Sequence, residues 1–145
     1  MDMNIEPFTW YRIPMKAAPA PRQSQRDRWR PSPSTLRYRA AKDELRRLLP
    51  LERLPGAIEL IFVLPLPKQV KGGKKARAAL IGQPHESKPD TDNLTKFFKD
   101  TYGSDSHVYY EAARKIWGEE PAIFFRAIPP PITPPAIRDF LVCHC

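Results

Sequence analysis

Cysteine is almost absent from this chain of 145 residues. The two that occur, Cys143 and Cys145, stand among the last three positions. Residues so close make a poor disulfide, and a chain end is a poor place for a core staple. With His144 between them they could hold a soft metal. A structural zinc site needs four ligands, however, and no second pair stands at suitable spacing. The plain reading is a disordered end. Long apolar runs are also missing: none approaches the roughly 18 residues needed to cross a bilayer. Met1 to Trp10 carries Asp2 and Glu6 and lacks the apolar centre of a secretory signal, so the simplest location is the cytoplasm. Glycine is scarce, at six residues. No Gly-rich phosphate loop, nucleophile elbow or zinc-finger spacing appears, and there is no internal repeat.

Acids are sparse where bases crowd. Between Lys16 and Arg47, ten lysines and arginines face only Asp27, Asp43 and Glu44, which accounts for nearly all of the net charge of +8. A second block, Lys68, Lys71, Lys74, Lys75 and Arg77, has no acid within it. Such blocks attract polyanions through phosphate contacts and counterion release. A solvated surface that keeps the protein soluble would look similar.

The length fits one domain, and 41% hydrophobic residues suffice for an ordinary core. Proline is abundant, with 18 residues clustered from Pro7 to Pro33 and from Pro129 to Pro135. The first cluster predicts a basic, Pro/Arg-rich arm over 17–33, after a short strand from Phe8 to Ile13. The second reads as polyproline II leading out of the fold. Beyond it, Ile137 to Val142 either docks on a partner subunit or frays.

Periodicity between the arms predicts a helix from Leu36 to Leu49, capped by Ser34 or Thr35 and ended by Pro50, with Tyr38, Ala41, Leu45, Leu48 and Leu49 on one face. Ala57 to Leu64 reads as an apolar strand. Residues 68–83, with Gly72-Gly73 and many cations, read as a mobile basic loop. A helix should start at Asp92 or Asn93, run to about Tyr102 and stop at Gly103. His107 to Trp117 and Ala122 to Ile128 alternate as strands, with Gly118-Glu119-Glu120-Pro121 as the turn between them.

Chemistry concentrates in Lys88-Pro89-Asp90-Thr91-Asp92-Asn93-Leu94-Thr95-Lys96. If 90–92 is extended, the carboxylates of Asp90 and Asp92 point the same way. So close, they repel unless a cation lies between them. Magnesium suits the gap, since it prefers oxygen ligands and takes several from water and phosphate. Lys96, one helical turn beyond Asp92, could offset charge developing on a phosphate. Each residue also has a bland reading, Asp92 as a helix cap and Lys96 as half of an i,i+4 ion pair. The residues alone leave the two readings level.

This stretch resembles the signature of the RusA family of Holliday-junction resolvases, proline-aspartate-x-aspartate-asparagine-leucine-x-lysine. Asp100, the piece Asp105-Ser106-His107-Val108 and Lys115 continue the resemblance, which covers roughly residues 88 to 118. It implies an α+β fold: a single domain over 1–128 with a small mixed β-sheet and two main helices, followed by a Pro-rich tail over 129–145. It further implies a bacterial or phage-encoded homodimer that cuts four-way DNA junctions with magnesium or manganese. By position, Asp90, Asp92 and Asp105 resemble the metal-binding carboxylates, and Lys96 the essential lysine beside them. Asp100 would support the helix or the dimer. DNA contacts are expected from Arg22, Arg26, Arg28, Arg30, Lys71, Lys74, Lys75 and Lys115.

The chain departs from the family pattern in three places. Ser104 stands where a first of two adjacent aspartates is usual. Only Thr101 to Ser104 separate Asp100 from Asp105. The 68–83 insertion and the tail lack family counterparts. These departures keep open a second reading, a RusA-like protein that grips branched DNA with weak or no cleavage. A third reading is a general basic nucleic-acid binder with an accidental motif. Of the remaining candidates, His85 reads as a ligand, a base or a loop histidine, and His107 as a DNA contact or a surface residue. Trp29, between Arg28 and Arg30, is the best candidate for stacking on exposed bases. Trp10 and Trp117 read as packing residues.

Overall fold

The computed structural model describes residues 4–21, 28–103 and 106–143. Four strands form one mixed sheet in the order β1-β4-β2-β3: β1 Tyr11–Ile13, β2 Ala57–Pro65, β3 Tyr110–Gly118 and β4 Ala122–Ala127. The helices are α1 Pro33–Leu48, α2 Gly73–Leu80, α3 Thr91–Thr101 and α4 Pro135–Cys143. The expected α+β class with a mixed sheet is therefore found. No helix among the described residues is long and apolar enough to cross a membrane.

β2 is the organising strand. It pairs in parallel with β3 and antiparallel with β4. Side chains alternate along a strand, so Ile58, Leu60, Phe62 and Leu64 share one face, and all four are buried in the core. Leu45, Leu49 and Tyr38 of the α1 region and Leu94, Phe97 and Phe98 of α3 complete that core. Phe98 stacks on Phe125 of β4 at 5.4 Å between centroids, and Phe97 meets Tyr38 at 5.8 Å. Aromatic pairs of this kind add about 0.5–1.5 kcal/mol each beyond area burial.

Several local expectations are corrected. α1 begins three residues earlier than Leu36, because Ser32 accepts from the Thr35 amide as N-cap and Pro33 occupies the first turn, where its missing N–H costs nothing. The expected arm over 17–33 begins against the core: Ala17 is buried, and Ala18 and Ala20 lie against it. The insertion over 68–83, read as a loop, contains α2. Gly72 and Gly73, both at positive φ, turn the chain into it, and Lys74-Lys75-Ala76-Arg77-Ala78-Ala79-Leu80 is composed of strong helix formers.

The turn over Gly118 to Pro121 does not close a hairpin. β3 and β4 flank β2 on opposite sides, so this short link passes around the end of β2. Gly118 is buried in that passage, and a Cβ there would sit well inside contact distance of Val63 Cγ1. Val63 is itself buried, and a β-branched side chain has little rotamer freedom to yield. Gly118→Ala is therefore expected to destabilise the fold by about 1–3 kcal/mol, as overpacking does. Urea denaturation checks this: the midpoint should fall with the slope unchanged.

β4 ends at Ala127, and the chain leaves through the proline run to α4. That helix stands apart from the core, with Ile137, Phe140, Leu141 and Val142 each more than half exposed.

Candidate functional site

The acid pair lies where the chain enters α3, but not in the conformation expected of it. Asp90 is the N-cap residue, with extended φ −71° and ψ 148°, and Asp92 already lies in the first helical turn. The extended i,i+2 argument for convergent carboxylates therefore fails. Both acids instead stand at the helix start, Asp90 as its cap and Asp92 in its first turn. The positive end of the helix dipole favours negative charge at these positions.

Neither bland reading is realised. Asp92 is not the cap: that position falls to Asp90, which makes no side-chain cap hydrogen bond, and Asp92 lies in the first turn. Among the described residues no ion pair joins Asp92 to Lys96, although one turn separates them. Asp90, Asp92 and Lys96 are all exposed. Their orientation follows from packing: α3 buries Leu94, Thr95, Phe97, Phe98 and Thr101, so positions 92, 96 and 100 are left on the outer stripe.

Asp100, on the same stripe, has a structural partner. It accepts the Tyr38 hydroxyl at 2.9 Å, which ties α3 to α1. Burial, and then this bond, push the Tyr38 phenol well above its usual range. This is the helix-supporting role expected of Asp100. Tyr38 was legible only as a core residue, because a long-range hydroxyl partner leaves no mark in periodicity.

The loop before α3 is held by β3. After α2 the chain returns along the outer edge of β3: the Gly82 amide donates to the Trp117 carbonyl, the Trp117 amide to Gln83, and the His85 amide to Lys115. The Lys115 ammonium then donates to the Pro89 carbonyl at 2.8 Å and to the Ser87 carbonyl. His85 is buried against Trp117, with ring centroids 4.0 Å apart. Burial, with the nearby Lys115 charge, lowers its pKa. His85 is thus a packing residue of this loop, and Trp117 packs as expected. His107 ties two loops together through a ring-nitrogen hydrogen bond with the Leu54 carbonyl at 2.6 Å.

Of the other expected site residues, Arg28, Arg30, Lys71, Lys74 and Lys75 are exposed, as is Trp29, at 83%. Trp10 carries the Arg126 guanidinium 4.5 Å above its ring, and Arg126 in turn is paired with Glu59. Arg77 anchors α2, donating to the Pro67 carbonyl at 2.6 Å and to Glu119 at 3.2 Å. Asp105, Arg22 and Arg26 lie outside the described residues. Among the described residues no group of three or more His, Cys, Asp or Glu side chains is placed to hold a metal ion. Asp90 and Asp92 supply two carboxylates, hard oxygen donors of the kind magnesium and manganese take alongside water and phosphate.

A protein-family model described as endodeoxyribonuclease RusA matches residues 13–126. The chain belongs to this family, whose members are nucleases that bind branched DNA and resolve Holliday junctions in recombination. No curated protein and no solved structure matches the chain.

Proposed function

We propose that this protein is a metal-dependent endonuclease that resolves four-way DNA junctions by hydrolysing phosphodiesters, with Asp90, Asp92 and Asp105 as its metal-binding carboxylates and Lys96 beside them. One observation carries the reading: Asp90 and Asp92 at the start of α3 and Lys96 one turn further along it are exposed, and none is consumed by a cap or an ion pair among the described residues. Polar groups with no structural task, gathered at a helix N-terminus in a family of DNA nucleases, are what a catalytic site requires.

A bound Mg2+ or Mn2+ would supply Lewis acidity toward the phosphoryl oxygen and an activated water. Asp90 and Asp92 would hold that ion from the cap and first turn of α3, with Asp105 as a third oxygen donor. The helix start favours their negative charge. Lys96, one turn further on the same stripe, would reach the scissile phosphate and offset the charge that develops on it. Arg28, Arg30, Lys71, Lys74 and Lys75, with Arg22 and Arg26, would engage the DNA backbone through phosphate contacts. A homodimer would set two such sites about a two-fold axis that matches the two cut strands. The nuclease domain would span 1–128, with 129–145 as an appended tail, in a cytoplasmic protein of bacterial or phage origin.

The test is a synthetic four-way junction incubated with purified protein, with and without Mg2+. Paired, symmetric nicks that need the metal are expected. Tight junction binding with no nicks in Mg2+ or Mn2+ would instead favour the branched-DNA binder to which Ser104 and the short link point. Equal affinity for junction and linear duplex would defeat both.

A further inference from the structure

We propose that Lys115 is a positioning residue for the metal-binding loop, not a contact to DNA. β3 turns one face toward α3, and on that face two polar side chains four residues apart grip the helix near its two ends. Glu111 pairs with Lys99 in the last turn of α3 at 3.0 Å. Lys115 reaches the carbonyls of Ser87 and Pro89, in the loop that delivers Asp90. Four strand residues span about 13 Å, and the eleven residues of α3 about 16 Å. The two contacts therefore bracket the helix.

The loop needs such a fastening. Residues 86–88 are exposed, and Pro89 has no N–H to bond with. Pro84 forms an isolated bridge with Ile116, and the last backbone bond from this limb to β3 is the His85 amide to Lys115. From Glu86 to Pro89 the anchoring passes from backbone to side chain, and one ammonium holds two carbonyls. An ammonium has three donors and no acceptor, so two of the three are used inside the protein. Nearby, His85 is buried with Nδ1 unpartnered. A second cation is disfavoured beside Lys115, and the Lys115 charge indeed helps keep the ring neutral. Lys115 thus fastens the loop at two carbonyls, and through Pro89 it fixes the backbone on which the Asp90 carboxylate is carried.

This inference rests on the assignment of Asp90 proposed above, but its test does not depend on cleavage. Lys115→Met keeps the aliphatic stem and removes the donors, and Lys115→Arg restores donors. In the metal-free protein, the backbone NMR order parameters of Ser87, Lys88 and Asp90 should fall from the rigid range of about 0.85 to below about 0.6 in Lys115→Met, with β2 and α1 unchanged and partial recovery in Lys115→Arg. Junction affinity without divalent metal should stay within about twofold of wild type, because no phosphate contact is lost. The Mg2+ concentration for half-maximal cleavage should rise about 10–100-fold, the usual effect of removing a group that orients a metal ligand. Unchanged order parameters in the 87–90 loop overturn the proposal, and so does a metal-free loss of junction affinity with a reduced salt slope, the mark of a phosphate contact. If wild-type protein proves unable to cleave, the proposed function falls while the order parameters still decide the role of Lys115.

Discussion

Asp92→Asn is expected to lower junction cleavage by at least about 100-fold, more than the loss of a group that merely supports a metal ligand. Asparagine keeps the size of the side chain and removes its charge. The Asp92 side chain is exposed and has no hydrogen bond among the described residues, so the fold should barely respond. Losing one carboxylate from the first turn of α3 costs roughly 0.3–1 kcal/mol through the helix dipole. Junction affinity measured without divalent metal should be unchanged or slightly tighter, since a negative charge is withdrawn from the face that, at the proposed site, would meet phosphates. Lys96→Met separates the two roles. It should cost roughly 100- to 1,000-fold in cleavage, as loss of a transition-state charge partner does, without moving the Mg2+ dependence. The double variant should fall no further than the worse single, because groups acting as a unit are not additive. Single-turnover cleavage of a labelled junction across a metal titration measures all three. Wild-type cleavage by Asp92→Asn would remove the acid pair from the mechanism.

The sequence made some of this site legible and hid the rest for identifiable reasons. The stripe Asp92, Lys96 and Asp100 was readable because helical spacing is regular and Leu94, Phe97 and Phe98 mark the buried side. The exact helix start was not. A proline before Asp90 argued for an extended segment, but its restriction acts on Lys88 rather than on the residues that follow. Helix α3 therefore begins at Thr91, and the acids stand at a helix start instead of along a strand. β3 and β4 read correctly as strands, but the four-residue link looked like a hairpin. Pairing depends on which strand lies between them, and nothing local to 118–121 reports that β2 does. α2 was masked by its double glycine, which signals a loop, while the helix formers after it make a helix too short to show a clear period. The Lys115 contact with 87–89 spans 26 and 28 positions, beyond any spacing rule, so this lysine looked like one more cation for DNA.

Replacing Lys71, Lys74 and Lys75 together with glutamine is expected to weaken junction binding by about two orders of magnitude near physiological salt and to reduce the slope of log affinity against log salt by about 3. The three cations are exposed, at the start of α2 and in the turn before it. Glutamine keeps the helix propensity of lysine. The helix should stay in place as well, since Arg77, left intact, pins it to the Pro67 carbonyl and Glu119. This anchoring holds the basic insertion to the sheet end as a helix, and its return limb runs on to the loop that carries Asp90. The variant should therefore act on binding and spare the chemical step: single-turnover cleavage at saturating protein and metal should match wild type, while the protein concentration needed for half-maximal cleavage rises with the dissociation constant. Fluorescence anisotropy of a labelled junction over a salt series measures the slope. An unchanged slope would mean that α2 does not face the DNA and that its charge serves solubility alone. A fall in the saturated cleavage rate would mean that the limb from Gly82 to His85 transmits the loss of α2 contacts to the metal-binding loop.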